Sequence, residues 1–170
     1  MKIGLFFGTN TGNTEEVMDI LQEKLEDNGF EVDLHDMASA DVDEFGNYET
    51  MIMACPTWND GELQDDWDAV LDEMEDFDFS GKKVGFVGLG DQDGYPEYFV
   101  DAIGILADVV EKQGGEIFGY WPTEGYDFDE SKAIKDDKFC GLVIDQDNEE
   151  DLTEERCEKW EVQIKGELGA

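Results

Sequence analysis

The stretch from Ile3 to Val17, IGLFFGTNTGNTEEV, constrains the fold more than any other part of the chain. An apolar run, Ile3 to Phe7, passes into a glycine-, threonine- and asparagine-rich turn from Gly8 to Thr14, and an amphipathic helical pattern follows at once. A strand, a tight turn and a helix in that order aim the backbone N–H groups of the turn, and the unpaired ones of the first helical turn, at one spot. An anion is favoured there. Thr9, Thr11 and Thr14 add hydroxyl groups, Asn10 and Asn13 accept turn geometry, and Gly12 lets the backbone come close. A nucleoside-triphosphate loop reads G-x-x-x-x-G-K-[ST]; here Gly8 and Gly12 are one residue too close, and Asn13 stands where the lysine belongs. The dinucleotide fingerprint G-x-G-x-x-G is absent too. A single terminal phosphate, held by dipoles and hydroxyls alone, fits better, the plainer alternative being a turn that only caps a helix.

A length of 170 residues suits one domain, 1–170, with a substantial core. Behind the cradle, Val17, Ile20, Leu21 and Leu25 recur at helical spacing up to Asn28-Gly29. Val32 and Leu34 alternate as in a short strand, and a short helix or irregular link is expected around 41–45. Thr50 to Cys55 reads as a buried parallel strand ended by Pro56. Leu63, Trp67, Val70, Leu71 and Met74 mark a helix; Lys83 to Gly90 a second buried strand; Phe99, Ile103, Leu106, Ala107 and Val110 a helix closed by Gly114-Gly115. Glu116 to Trp121 reads as a strand, and about twenty polar and aromatic residues, 122–139, precede a further strand, Cys140 to Asp145. A last helix carries Cys157, Trp160, Ile164 and Leu168. Alternating strands and helices imply an α/β fold with a parallel sheet, right-handed crossovers and helices on both faces. Ligands in such folds bind beyond the carboxyl ends of the strands, where strand order reverses. The rule selects three loops: Gly8 to Thr14, Pro56 to Glu62, and Gly90 to Tyr95. Trp58 and Tyr95 then stand at neighbouring strand ends, and two aromatics beside a phosphate cradle suit a flat ring system with one terminal phosphate.

Thr9-Asn-Thr-Gly-Asn-Thr14, Pro56-Thr-Trp-Asn59, Gly90-Asp-Gln-x-Gly-Tyr95, Gly119-Tyr-Trp-Pro-Thr-x-Gly-Tyr126 and Phe139-x-Gly-Leu-x-x-Asp-x-Asp-Asn148 resemble the motifs of the flavodoxins. The segment between Trp121 and Phe139 is similar to the insertion of the long-chain subgroup. The resemblance implies a flavodoxin-like three-layer α/β/α sandwich, with a five-stranded parallel sheet in the order 2-1-3-4-5 and a fifth strand split by the insertion. It implies one non-covalent FMN and single-electron transfer, with no catalytic residue; a metal is disfavoured separately, by a single His and no Cys/His spacing. Carried onto this chain, Thr9, Asn10, Thr11, Gly12, Asn13 and Thr14 would hold the phosphate. Trp58 would cover one ring face and Tyr95 the other, with Pro56, Thr57 and Asp147 nearby, the last two toward the ribityl chain. Backbone groups of Asn59, Asp60, Gly90 and Asp91 would meet the ring edge. The resemblance also implies that the Asn59–Asp60 carbonyl turns to accept a hydrogen bond from flavin N5 in the neutral semiquinone; Asp60 departs from the smaller or apolar residue expected there, and Gly61 next to it should ease the turn.

Charge enters at this point. The chain holds 46 acidic and 11 basic residues, a formal net charge of −35. No Lys or Arg occurs between Lys24 and Lys82, or between Lys83 and Lys112. Asp60, Glu62, Asp65, Asp66, Asp91, Asp93 and Glu97 flank the expected site, so an electron that turns a neutral semiquinone into an anionic hydroquinone is opposed. At an effective dielectric of about 40 and a separation of about 10 Å, each carboxylate costs roughly 0.8 kcal/mol before screening. Several together lower the second potential by on the order of 100 mV. The expectation is a low-potential carrier cycling between semiquinone and hydroquinone, linking a reductase or photosystem-type donor to acceptor enzymes. Its partners would be basic-faced redox proteins, such as a ferredoxin/flavodoxin-NADP reductase and an electron-accepting enzyme. Nucleic acid and anionic membranes are repelled.

Cys55, Cys140 and Cys157 are widely spaced with no C-x-x-C, so free buried thiols in a reducing, cytoplasmic setting are expected. The amino terminus reads as neither signal peptide nor membrane span, and a monomer is expected. His35, the only histidine, has no titrating partner nearby in sequence, which weighs against a role as base. The alternative is an FMN-dependent NAD(P)H:quinone reductase of the same fold, which needs room for a second substrate over the ring. A signalling receiver would need an Asp where Cys55-Pro56 stands.

Overall fold

A computed structural model describes residues 1–9, 12–58 and 60–169. Asn10, Thr11 and Asn59 lie outside the described residues. The central strands are β1 (Lys2–Phe7), β2 (Glu31–Asp36), β3 (Thr50–Trp58) and β5 (Lys83–Leu89), with short β4 (Glu62–Leu63), β6 (Glu116–Ile117) and β10 (Leu142–Ile144). The main helices are α1 (Asn13–Asp27), α2 (Asp65–Glu75), α3 (Asp101–Lys112) and α5 (Thr153–Leu168); α4 (Gln146–Glu149) is a single turn. The sheet runs β2-β1-β3-β5-β10, every pair on that path being parallel. Both β6 and β10 pair with β5, so the fifth strand of the order 2-1-3-4-5 comes in two pieces on either side of the insertion.

β1, β3, β5 and β10 are apolar nearly throughout because helices cover them on both sides, α1 packing with α5 and α2 with α3. α1 buries Val17, Leu21 and Leu25, three of the four positions its spacing marked, with Ile20 only partly buried, and α5 buries Cys157, Trp160, Ile164 and Leu168. The expected link before β3 is a 3₁₀ turn, Val42–Asn47, with a capping box in which the Asp41 N–H donates to Glu44 Oε2 at 2.8 Å.

Three local expectations need correction. β3 does not stop at Pro56: Cys55 and Pro56 remain in register with Gly88 and Leu89, and Thr57 and Trp58 then pair antiparallel with Leu63 and Glu62 of β4. Ala54 turns its carbonyl toward the β1 side, accepting from the Gly8 N–H at 3.2 Å. Pro56, two residues on, faces the same side past the end of β1, so its missing N–H breaks no ladder bond. Leu63 accordingly lies in β4 and Phe99 ahead of α3, each just outside the helix its apolar spacing suggested. The expected strand Glu116 to Trp121 is broken after Ile117, where Gly119, at φ 82, turns under the indole of Trp160. Finally, the insertion contains strands that its polar composition concealed: β7 (Trp121–Pro122), β9 (Lys138–Phe139) and β8 (Ile134–Lys135) form a small antiparallel sheet in that order.

Candidate functional site

The three loops meet as the strand-end rule requires. A cavity of about 280 Å³ opens at the carboxyl ends of the sheet. Asn13 and Thr14 line it from the start of α1, and Pro56, Thr57 and Trp58 from the end of β3. Leu89, Gly90 and Asp91 close it from β5, with Tyr95 and Tyr98 beyond, Phe99 and Val100 below, and Gln146 and Asp147 from the turn α4.

Around the cradle, the Gly12 N–H donates to Thr9 Oγ1 at 2.8 Å, which draws the two ends of the turn together. Gly12 is the N-cap of α1 at φ 87 and offers no side chain to the helix start. The first-turn N–H groups of α1 therefore receive no side-chain cap among the described residues, while the Thr14 side chain beside them is buried against the cavity. An uncapped helix start facing a cavity is an anion site in waiting.

At the second loop the Trp58 indole Nε1 is buried and has no hydrogen-bond partner among the described residues. Thr57 Oγ1 accepts the Ala102 N–H at 3.0 Å, so the tip of β3 caps the first turn of α3. That leaves its hydroxyl hydrogen to donate into the cavity. Val100, the residue at the N-cap of α3, offers no side-chain cap and sits at φ 49. A buried β-branched residue in the left-handed region is strained, and it lines the cavity. Asp60 is exposed; Gly61, at φ 89, is buried where a Cβ would meet the Asp101 carboxylate. Asp101 is itself buried, and burial raises its carboxyl above the ordinary range although Oδ1 accepts the Lys132 N–H at 2.7 Å.

At the third loop Asp91 shapes the turn. Its Oδ1 accepts the N–H groups of Gly94 at 2.8 Å and Asp93 at 3.1 Å and the Asn148 amide at 2.8 Å. Burial works against its charge, but these donors prevail and hold the carboxyl below its ordinary range. Asp147 is pushed the other way, by burial first and then by the charges of Asp91 and Asp145. Tyr95 remains 47% exposed.

Of the residues expected at the site, Asn13, Thr14, Pro56, Thr57, Trp58, Gly90, Asp91, Tyr95 and Asp147 reach the cavity. Thr9 and Gly12 shape the turn behind it, and Asp60 and Asp93, also expected there, are exposed and do not line the cavity. Tyr98 and Gln146 were not foreseen. Tyr98 follows Tyr95 by three residues, a spacing that brings it to the same side of a turn, and the Tyr98 N–H bonds the Tyr95 carbonyl at 3.2 Å. His35 lies on the edge strand β2, stacked on Phe6 with ring centroids 4.7 Å apart and 2.7 Å from the Tyr48 hydroxyl, outside the cavity. The three cysteines are free and buried, and burial pushes each thiol up to about 12. No helix among the described residues is long and apolar enough to cross a membrane.

The family model described as flavodoxin matches residues 5–160. A flavodoxin of Synechocystis sp. is 51% identical over 164 residues, covering 96% of each chain. One from Nostoc sp. is 48% identical over 168 residues, covering 99% of this chain and 98% of the relative. Among solved structures, the flavodoxin of Fusobacterium nucleatum bound to flavin mononucleotide superposes with a TM-score of 0.92 at 36% identity, covering 98% of each chain.

Proposed function

The chain belongs to the flavodoxin family, and from that premise we propose how its own residues seat the cofactor and what the acid around them does. It is an FMN-binding electron-transfer protein that converts no substrate of its own. Residues 1–170 are taken as a single FMN-binding domain, with one continuous apolar cluster in support. The observation that carries the assignment is the convergence on one cavity of a helix start whose N-cap is a glycine, a partly buried indole whose N–H has no partner among the described residues, and an exposed tyrosine.

The residues fit FMN chemically. Asn13 and Thr14, with Thr9 and Gly12 holding the turn, offer N–H and hydroxyl donors to a phosphate in a chain with no basic residue between Ile3 and Val17. Trp58 and Tyr95 flank the ring, Pro56 and Thr57 line the wall, and Thr57 and Asp147 face the polar chain between ring and phosphate. Backbone groups at Asp60, Gly61, Gly90 and Asp91, with Asp93 on the rim, border the ring edge. Asn10, Thr11 and Asn59 belong to the same assignment by sequence alone. When bound, FMN supplies a ring that takes up and gives out one electron at a time. Trp58 and Tyr95 keep water and a second flat substrate off its faces, which disfavours the quinone reductase. The carboxylates on the rim oppose each added negative charge, so the more negative of the two one-electron steps falls further.

Basic-faced proteins, a ferredoxin/flavodoxin-NADP reductase among them, are the partners this rim suits. Work in the cytoplasm as a monomer is supported by the free buried thiols and a strong excess of one charge sign. An anaerobic redox titration tests the reading. Replacing Asp60, Asp65 and Asp93 by Asn together is expected to raise the more negative potential by on the order of 100 mV at low salt. An unchanged potential contradicts the role given to the acid.

A further inference from the structure

Arg156 is the only arginine in the chain, and it is 9% exposed on α5. Its Nη2 donates to Glu149 Oε1 at 3.1 Å, its guanidinium carbon stands 4.3 Å from the centroid of the Tyr126 ring, and Nη1 has no partner among the described residues. The same Glu149 oxygen accepts from Gln92 Nε2 at 2.6 Å. That amide nitrogen also donates to Asp145 Oδ2 at 2.9 Å, the Gln92 backbone N–H reaches the same oxygen at 3.1 Å, and Gln92 Oε1 accepts the Asp127 N–H at 2.6 Å. Gln92 thus spends its whole side chain on fixing the turn that carries Tyr95 three residues later.

The arrangement sets two carboxylates, Glu149 and the fully buried Asp145, on one amide nitrogen. Two anions that close repel unless one is neutralised. Arg156 is the cation paired with Glu149, and the Tyr126 face makes its own burial tolerable. We infer that Arg156 is a positioning residue for the cofactor: by neutralising Glu149 it lets both carboxylates hold Gln92, and so fixes the turn that presents Tyr95 to the ring. This rests on Tyr95 covering the ring, as read above. The far end of the turn is held independently, because the Asp129 and Glu130 N–H groups bond the Pro96 carbonyl at 2.8 and 3.0 Å.

Two readouts separate the parts of the inference. Amide exchange of Gly94, Tyr95 and Asp127 in the apoprotein reports the turn without flavin, and the FMN dissociation constant reports its consequence. Arg156→Met is expected to speed exchange at those three amides and to weaken FMN binding by about tenfold. The amides of Asp129 and Glu130 should stay protected and so show the fold intact. Arg156→Met combined with Glu149→Gln removes the anion along with the cation while leaving an oxygen for Gln92; it should restore both readouts, and Arg156→Lys should restore them in part. Exchange that does not change in Arg156→Met overturns the inference. So does loosening that Glu149→Gln fails to reverse, because Arg156 would then act by packing on Tyr126. Loosening that is reversed as expected, with FMN affinity unmoved throughout, upholds the fixing of the turn and overturns the place of Tyr95 over the ring.

Discussion

Two carboxylates show how differently one functional group is buried here. Asp145 is fully buried and accepts four donors, two from Gln92 and two from Asn148, so both of its oxygens are hydrogen-bonded. Glu161 on α5 is 1% exposed, and its Oε1 meets no partner among the described residues. Burial is the leading cause that raises the Glu161 carboxyl, with Lys165 and Lys24 opposing and Glu158 adding to the rise. A raised folded value means that the charge costs more in the folded than in the unfolded chain. Below the ordinary value of 4.5 both states are neutral and the cost vanishes; it grows as pH climbs through the folded value and is complete above it. Glu161→Gln is therefore expected to stabilise the apoprotein by about 1 kcal/mol at pH 7 and to lose that advantage on acidification. Urea unfolding at several pH values checks it, and an advantage that does not shrink below pH 5 counts against the assignment.

At the scale of elements, α3 begins without help from its own residues, because strained Val100 sits where a capping side chain would. Thr57 supplies the bond from the tip of β3 and thereby ties the Trp58 hairpin to the helix. Thr57→Val keeps the shape and removes the oxygen, so it should cost the apoprotein about 1 kcal/mol in denaturant unfolding; an unchanged midpoint would mean the cap contributes nothing. This link is also a measure of what the chain discloses before it folds. The long central strands, the main helices and the convergence of three loops follow from apolar periodicity and from the strand-end rule, and Trp58 and Tyr95 stand out because large aromatics at strand ends have no core to fill. Thr57 as a cap and Asp145 as a hub could not be read, since they act on residues 45 and 53 positions away, and Arg156 as a neutraliser could not, since its carboxylate partner matters only through Gln92, which the fold alone brings to it. The persistence of β3 through Pro56 was hidden for a related reason: whether a missing N–H matters depends on where the neighbouring strand ends, which no local pattern records.

At the scale of the molecule, a net charge of −35 acts on the fold and on function with opposite signs. Self-repulsion among the carboxylates weakens the compact state, and the described ion pairs use few of them: Lys24 serves Glu154 and Glu158, Lys135 serves Asp108 and Glu111. On the reading proposed above, the same field is expected to draw a basic partner toward the acidic loops at the cavity. Added salt relieves the first and removes the second, since the screening length falls from about 30 Å at 0.01 M to about 3 Å at 1 M. The apoprotein is thus expected to melt at a higher temperature as NaCl rises from about 0.01 to about 0.5 M, while reduction of the FMN form by a basic reductase slows by an order of magnitude or more over the same range. Replacing Asp60, Asp65 and Asp93 by Asn should flatten the kinetic salt dependence and leave most of the thermal one, because three rim charges are a large share of what a docking partner meets and a small share of the whole. If the kinetic slope survives their removal, the steering field is spread over the surface, and the rim carboxylates act on the cofactor's potential alone.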